Sequence, residues 1–110
     1  MTEEEKKFLT DICFSIELIE DFTKDIVSFD NYINDYKTKS AVERHLAIVG
    51  EALNKFLKIS AHTQIENTSE IISLRNRIIH SYDNIDDAII WAVLTRHLLP
   101  LKKQIVLLLE

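Results

Sequence analysis

Apolar side chains recur at three- and four-residue steps through most of this chain, the spacing that lines one face of an α-helix. Phe8, Ile12, Ile16, Ile19, Phe22 and Ile26 form the first such stripe and predict a helix over residues 2–27. Thr2 and Glu5 stand at capping-box spacing at its start. Glu17, Asp21 and Asp25 form an acidic ridge off the stripe, which reads as a solvated face or as a contact for a basic partner. Residues 28–36 form a connector with four Asp and Asn and the apolar Phe29, Tyr32, Ile33 and Tyr36. That mixture predicts a packed-down segment, as a short helical turn. Its aromatics either plug the end of a bundle or offer faces to nucleobases.

A second helix is expected over residues 37–61. Ala41, Val49, Ala52, Phe56 and Ile59 mark its apolar centre, widened by Val42, Leu46, Leu53 and Leu57. The only glycine of the chain, Gly50, lies inside this helix, where glycine costs up to about 1 kcal/mol relative to alanine. Close approach of another backbone would explain it. His45, within the apolar face, reads as a hydrogen-bonded core histidine. Arg44 and Glu51 lie two turns apart on the polar stripe, as exposed ion-pairing groups, with Glu51 also able to orient an arginine of another helix. Residues 62–68 read as a loop, with Thr68 or Ser69 capping a third helix that ends near Tyr82. A fourth helix starts after Asn84, with Asp86 and Asp87 in its first turn, where acids suit the helix dipole. It has two apolar faces, one with Ile85, Ala88, Ile89, Ala92 and Val93, the other with Ile90, Trp91, Leu94 and Leu98. A second face suggests a partner or a second subunit. Pro100 is well suited to the first position of a short final helix. The sum is an all-α, antiparallel four-helix bundle with a short additional C-terminal helix, as a single domain over residues 1–110.

The chemistry concentrates in the third helix. Ile71, Leu74, Ile78 and Ile79 form its apolar stripe, and Arg75 falls inside it. A buried charge without a partner is costly, so Arg75 requires either a carboxylate in the core or a cleft where it meets a phosphate. His80 follows Arg75 by five residues, which sets the two about 140° apart on a straight helix. They converge only if the helix bends or ends near His80, or if two copies of the chain meet. Asn76 shares the face of His80 and could orient it or a phosphate. Arginine makes paired hydrogen bonds to phosphate oxygens, and imidazole is the side chain that exchanges protons near neutral pH. The pair suits phosphodiester chemistry.

Composition narrows the alternatives. One Gly and one Pro in 110 residues favour long helices and rule out a glycine-rich phosphate loop. The single cysteine, Cys13, excludes an internal disulfide and a multi-cysteine zinc site; it reads as a buried, inert thiol. His45, His62, His80 and His97 lie on different segments, so no metal site is expected. The net charge of −5 argues against a general nucleic-acid coat but allows a focused basic cleft. No apolar run is long enough to span a membrane, and the acidic Thr2-Glu3-Glu4-Glu5 start is unlike a signal peptide, so a cytoplasmic protein is expected.

The run Arg75-Asn76-Arg77-Ile78-Ile79-His80-Ser81-Tyr82, followed by Ile85-Asp86, resembles the Arg-x4-His-x-Tyr signature of HEPN-domain proteins. The stretch from Ala41 to Leu53, with Glu43, Arg44 and Gly50-Glu51, resembles that family's second helix, and Leu98-Leu99-Pro100-Leu101-Lys102 its tail. The subgroup it resembles is the HepT-like toxins, which are encoded beside a minimal nucleotidyltransferase antitoxin. The resemblance implies a homodimeric, metal-independent endoribonuclease without a cofactor, acting on RNA. Arg75 and His80 would be catalytic in a cleft lined by both copies, Asn76 and Tyr82 would support them, and Tyr82 would receive AMP from the antitoxin. The rival expectation is a non-catalytic HEPN module that assists a nucleotidyltransferase.

Overall fold

A computed structural model describes residues 1–60 and 63–110, without the side chain of Tyr82. The expected end of the second helix at Ala61, and His62, lie outside the described residues. The described residues are helical throughout their regular structure, with no strand among them: α1 (Glu3–Thr23), α2 (Phe29–Asn34), α3 (Tyr36–Ile59), α4 (Ser69–His80), a 3-10 turn (Tyr82–Asn84), α5 (Asp87–Ala92), a π-helical segment (Val93–His97) and α6 (Leu98–Leu109). The all-α bundle is therefore as expected.

The N-terminal cap of α1 forms as its spacing predicts. The Thr2 hydroxyl accepts from the Glu5 amide at 3.1 Å and donates to the Glu5 carboxylate at 3.2 Å. The helix stops at Thr23, short of residue 27, and the Thr23 hydroxyl turns back to the Ile19 carbonyl at 2.8 Å. Ser28 is then free to cap α2, accepting from Asn31 N–H at 3.1 Å. Asp35 caps α3, accepting from the amide and hydroxyl of Thr38 at 3.0 and 2.8 Å; these bonds hold its carboxyl below the usual value. Thr68 stands at the start of α4 but makes no side-chain cap, a correction to its expected role, since its own backbone is already helical.

The core is built on α3. It packs against α1 and α4, and α1 packs in turn against α6. His45 of α3 lies beside Phe22 and Ser15 of α1, and Glu51 and Lys55 lie beside Lys7 and Phe8. The numbering rises along one helix as it falls along the other, so α1 and α3 are antiparallel. Val42, Leu46, Val49, Leu53 and Phe56 are buried, whereas Ile59 is 41% exposed. The seam joins Val49, Ala52 and Phe56 of the expected centre with Val42, Leu46 and Leu53 beside it, and Ile59 falls past the end of the packing. His45 meets its expectation, with Nδ1 at 3.3 Å from the buried Ser15 Oγ. Burial, then the Arg44 charge, depresses its pKa. Cys13 is a buried free thiol pushed up mainly by that burial.

The connector is a plug. Tyr32 is fully buried, with Phe29 and Tyr32 at 6.2 and 5.8 Å from the Trp91 ring. That contact also accounts for the second apolar face of the fourth helix: Ile90 and Leu98 enter the core, and Trp91 meets α2. This face needs no second subunit. Pro100 is the third residue of α6, not the first. The helical run from residue 87 to 109 is continuous and widens to π spacing over Val93–His97, where Leu98 N–H reaches the Val93 carbonyl. Proline removes one helix hydrogen bond and its ring crowds the preceding turn; the wide turn just before it takes up that conflict. No described helix is long and apolar enough to cross a membrane.

Candidate functional site

Gly50 and Arg75 are one structural fact. A Cβ built on Gly50 would fall on Arg75 Cβ, and would stand 2.8 Å from Arg75 Cγ and 3.3 Å from the Ile71 carbonyl. The stem of Arg75 therefore lies across α3 at the one residue without a side chain. The close approach expected at Gly50 is real, but it is chiefly a side chain, with a carbonyl behind it.

From that stem the guanidinium reaches Glu51 of α3. Arg75 Nη2 pairs with Glu51 Oε2, and Nη1 donates to Asn76 Oδ1 at 2.9 Å. Lys55 Nζ lies 3.5 Å from the other Glu51 oxygen. The Arg75 side chain keeps 21% exposure, and Nε is buried without a protein partner. The charge in the apolar stripe thus has the carboxylate that burial demands. The grip is end-on: Glu51 holds one nitrogen, and the fork of five N–H donors retains unused positions.

Ile71 and Leu74 are buried and Ile78 half-buried, but Ile79, expected in the same stripe, is 45% exposed. His80 is the last residue of α4 and is exposed. Ser81 N–H bonds to the Arg77 carbonyl at 2.8 Å, so the helix stays regular to its end. Arg75 and His80 keep the separation of about 140° that five helical residues impose. One copy brings Arg75, Asn76 and Glu51 together but does not add His80. Tyr82 opens the 3-10 turn after α4, and its side chain lies outside the described residues.

Glu51 also lines an open cleft of about 670 Å³ between α1, α3 and the end of α4. Phe8, Ala47, Ile48, Ala52 and Ile79 give it apolar walls, and Lys7, Asp11, Arg44 and Lys55 are its other charged residues. Sequence reasoning passed over this cleft. The available signal was the stripe Arg44-Glu51-Lys55 at seven- and four-residue steps. Among the described residues, no three His, Cys, Asp or Glu lie close enough to hold a metal ion.

A family model described as Ribonuclease HepT-like matches residues 12–108. The chain is 36% identical over 106 residues to "Probable ribonuclease HepT" of Thermococcus cleftensis, covering 93% of each. It is 33% identical over 102 residues to "Putative RNase MJ1380" of Methanocaldococcus jannaschii, covering 91% of this chain and 92% of that protein. It is 36% identical over 90 residues to "Putative RNase MJ0127" of the same organism, covering 80% of this chain and 73% of that one. No solved structure matches.

Proposed function

This chain belongs to the HepT-like ribonuclease family, and on that premise we propose that it cleaves RNA through Arg75 and His80 in a cleft shared by two copies. The observation that carries the site is the placement of Arg75. The chain sets its only glycine beneath the arginine stem and a carboxylate at its tip, and leaves donors of the guanidinium unused.

His80 removes the proton of a ribose 2'-hydroxyl or supplies one to the leaving oxygen. The 2'-oxygen attacks the neighbouring phosphorus, the bond to the leaving oxygen breaks, and a 2',3'-cyclic phosphate remains. Arg75 stabilises the negative charge that builds on the phosphate oxygens, with no metal required. Asn76 fixes the guanidinium through its 2.9 Å bond. The separation of Arg75 and His80 on one regular helix is the physical reason for a homodimer: a second protomer supplies the missing partner.

The partner is a minimal nucleotidyltransferase that transfers AMP from ATP to the Tyr82 hydroxyl, with pyrophosphate leaving. A nucleotide attached two residues beyond His80 adds bulk and negative charge where the RNA phosphate must come. The pair would form a toxin and antitoxin. Intact mass of the chain co-expressed with such an enzyme tests this: whole AMP units gained, and lost in Tyr82→Phe, support it, and an unchanged mass contradicts it.

One observation favours the rival, a non-catalytic module assisting a nucleotidyltransferase: Glu51 already occupies Arg75. RNA cleavage with EDTA present separates the two. The ribonuclease cuts and His80→Ala does not; equal cutting by both removes the site assignment, and no cutting by either favours the module.

A further inference from the structure

We propose that the cleft between α1 and α3 seats the single-stranded RNA segment next to the cleaved phosphate, with phosphates on Arg44 and Lys55 and a base on the apolar wall of Phe8, Ile48 and Ile79. This rests on the ribonuclease reading and adds where the strand lies.

Position argues for it first. Glu51, which holds the Arg75 guanidinium, is in the wall of the cleft. Ile79, also in the wall, directly precedes His80. The cleft therefore touches neighbours of both groups assigned to the chemistry. Its volume of about 670 Å³ lies within the range of clefts that take small organic ligands.

Chemistry argues for it next. Single-stranded RNA is held by cations that follow the backbone and by flat apolar or aromatic surfaces under the bases. Phe8 and Ile48 are half-buried and Ile79 is exposed, so each presents surface. Lys7, Arg44 and Lys55 are all exposed. Among the described residues Arg44 has no carboxylate within ion-pair reach, unlike Lys7, paired with Asp11 at 2.9 Å, and Lys55, 3.5 Å from Glu51. Exposed pairs of this kind contribute little, and a phosphate can replace them. On a chain of net charge −5, this cleft carries three cations against the carboxylates Asp11 and Glu51, and Glu51 is shared with Arg75, so its local balance is positive, as an anionic strand needs.

The test is binding of a fluorescent single-stranded RNA by the His80→Ala chain, read by anisotropy across a salt series, beside cleavage by the wild type. Adding Arg44→Ala weakens binding several-fold and lowers the slope of log affinity against log salt by about 0.7, and adding Lys55→Ala lowers it again by a similar amount. Lys103→Ala, on α6 and away from the cleft, changes neither quantity. Unchanged affinity and slope in Arg44→Ala, with a wild type that cuts, overturn the cleft and spare the ribonuclease. A variant that alters sedimentation mass but not RNA affinity assigns the cleft to a second copy and also overturns the proposal. A wild type that neither binds nor cuts RNA overturns both readings.

Discussion

At the scale of single residues the molecule turns on Gly50. Alanine there would ordinarily strengthen a helix by up to about 1 kcal/mol. Here the added methyl meets Arg75 Cβ and Cγ, the stiff end of that side chain. Gly50→Ala should therefore lower stability, by roughly 1–3 kcal/mol as overpacking does, seen as a lower thermal midpoint; a raised midpoint would refute the contact. Glu51→Ala leaves the guanidinium held by Asn76 alone. Its cost should fall on kcat, about 10–100-fold as for a group displaced by an ångström or less, with KM little altered, and Glu51→Gln should restore part of it. Equal activity in Glu51→Ala would show that the ion pair is without consequence for catalysis. His45 yields a pH test. Its pKa is depressed in the fold, first by burial and then by Arg44. The unfolded chain then takes up the proton more readily, so the His45 contribution is complete above the ordinary histidine value of about 6.5 and is lost as pH falls below it. The difference in thermal midpoint between wild type and His45→Gln should shrink from about pH 8 to about pH 5.5; a constant difference would contradict the burial of its neutral form. Spacing alone revealed that Arg75 needs a partner, because the apolar stripe surrounds it. It offered Glu51 only as one option, because which residue meets which across two helices depends on how the helices cross.

At the scale of elements, periodicity located the helices and failed mainly at their ends. α1 stops at Thr23 because the Thr23 hydroxyl and the Ser28 cap compete with further helix, although Ile26 keeps helical spacing. Thr68 has the chemistry of a cap and the wrong backbone for it. Pro100 reads as a helix start, and nothing in local pattern announces a π turn that carries the helix past it. The plug α2 was legible in outline, since apolar residues in an Asp- and Asn-rich connector must find cover; Phe29, Tyr32 and Ile33 do, whereas Tyr36 opens α3 and is 74% exposed. Its buried Tyr32 hydroxyl makes no protein hydrogen bond, and burial drives its pKa upward. Tyr32→Phe removes that unpaired group while keeping the ring against Trp91, so it should leave stability equal or raise it by up to about 1 kcal/mol. A loss of several kcal/mol in denaturant unfolding would show that the hydroxyl is bonded in solution.

At the scale of the whole molecule, the proposed ribonuclease takes only half of its reaction centre from one bundle. α4 carries Arg75 on the face turned to α3 and His80 at its exposed end. The motif was legible in the sequence, and so was the geometric obstacle to its use within one chain. The second subunit was inferred there from the two apolar faces of the fourth helix; Ile90 and Trp91 of one face pack against the core and α2, while Ala88, Ile89 and Ala92 of the other keep surface open. Large apolar side chains left on the surface are spread over several elements, with Leu99, Val106, Leu107 and Leu109 grouped on α6. In the proposed mechanism the second copy is called for by the angle between a guanidinium and an imidazole.

That requirement is tested most directly by mixing two inactive chains. Arg75→Ala and His80→Ala are purified separately, unfolded and refolded together, and RNA cleavage is measured with EDTA present. If each centre takes its arginine from one protomer and its histidine from the other, about half of the pairs are mixed and each mixed pair has one intact centre, so activity returns to about a quarter of wild type. A mixture as inactive as its two components, beside a wild type that cuts, would contradict the shared site.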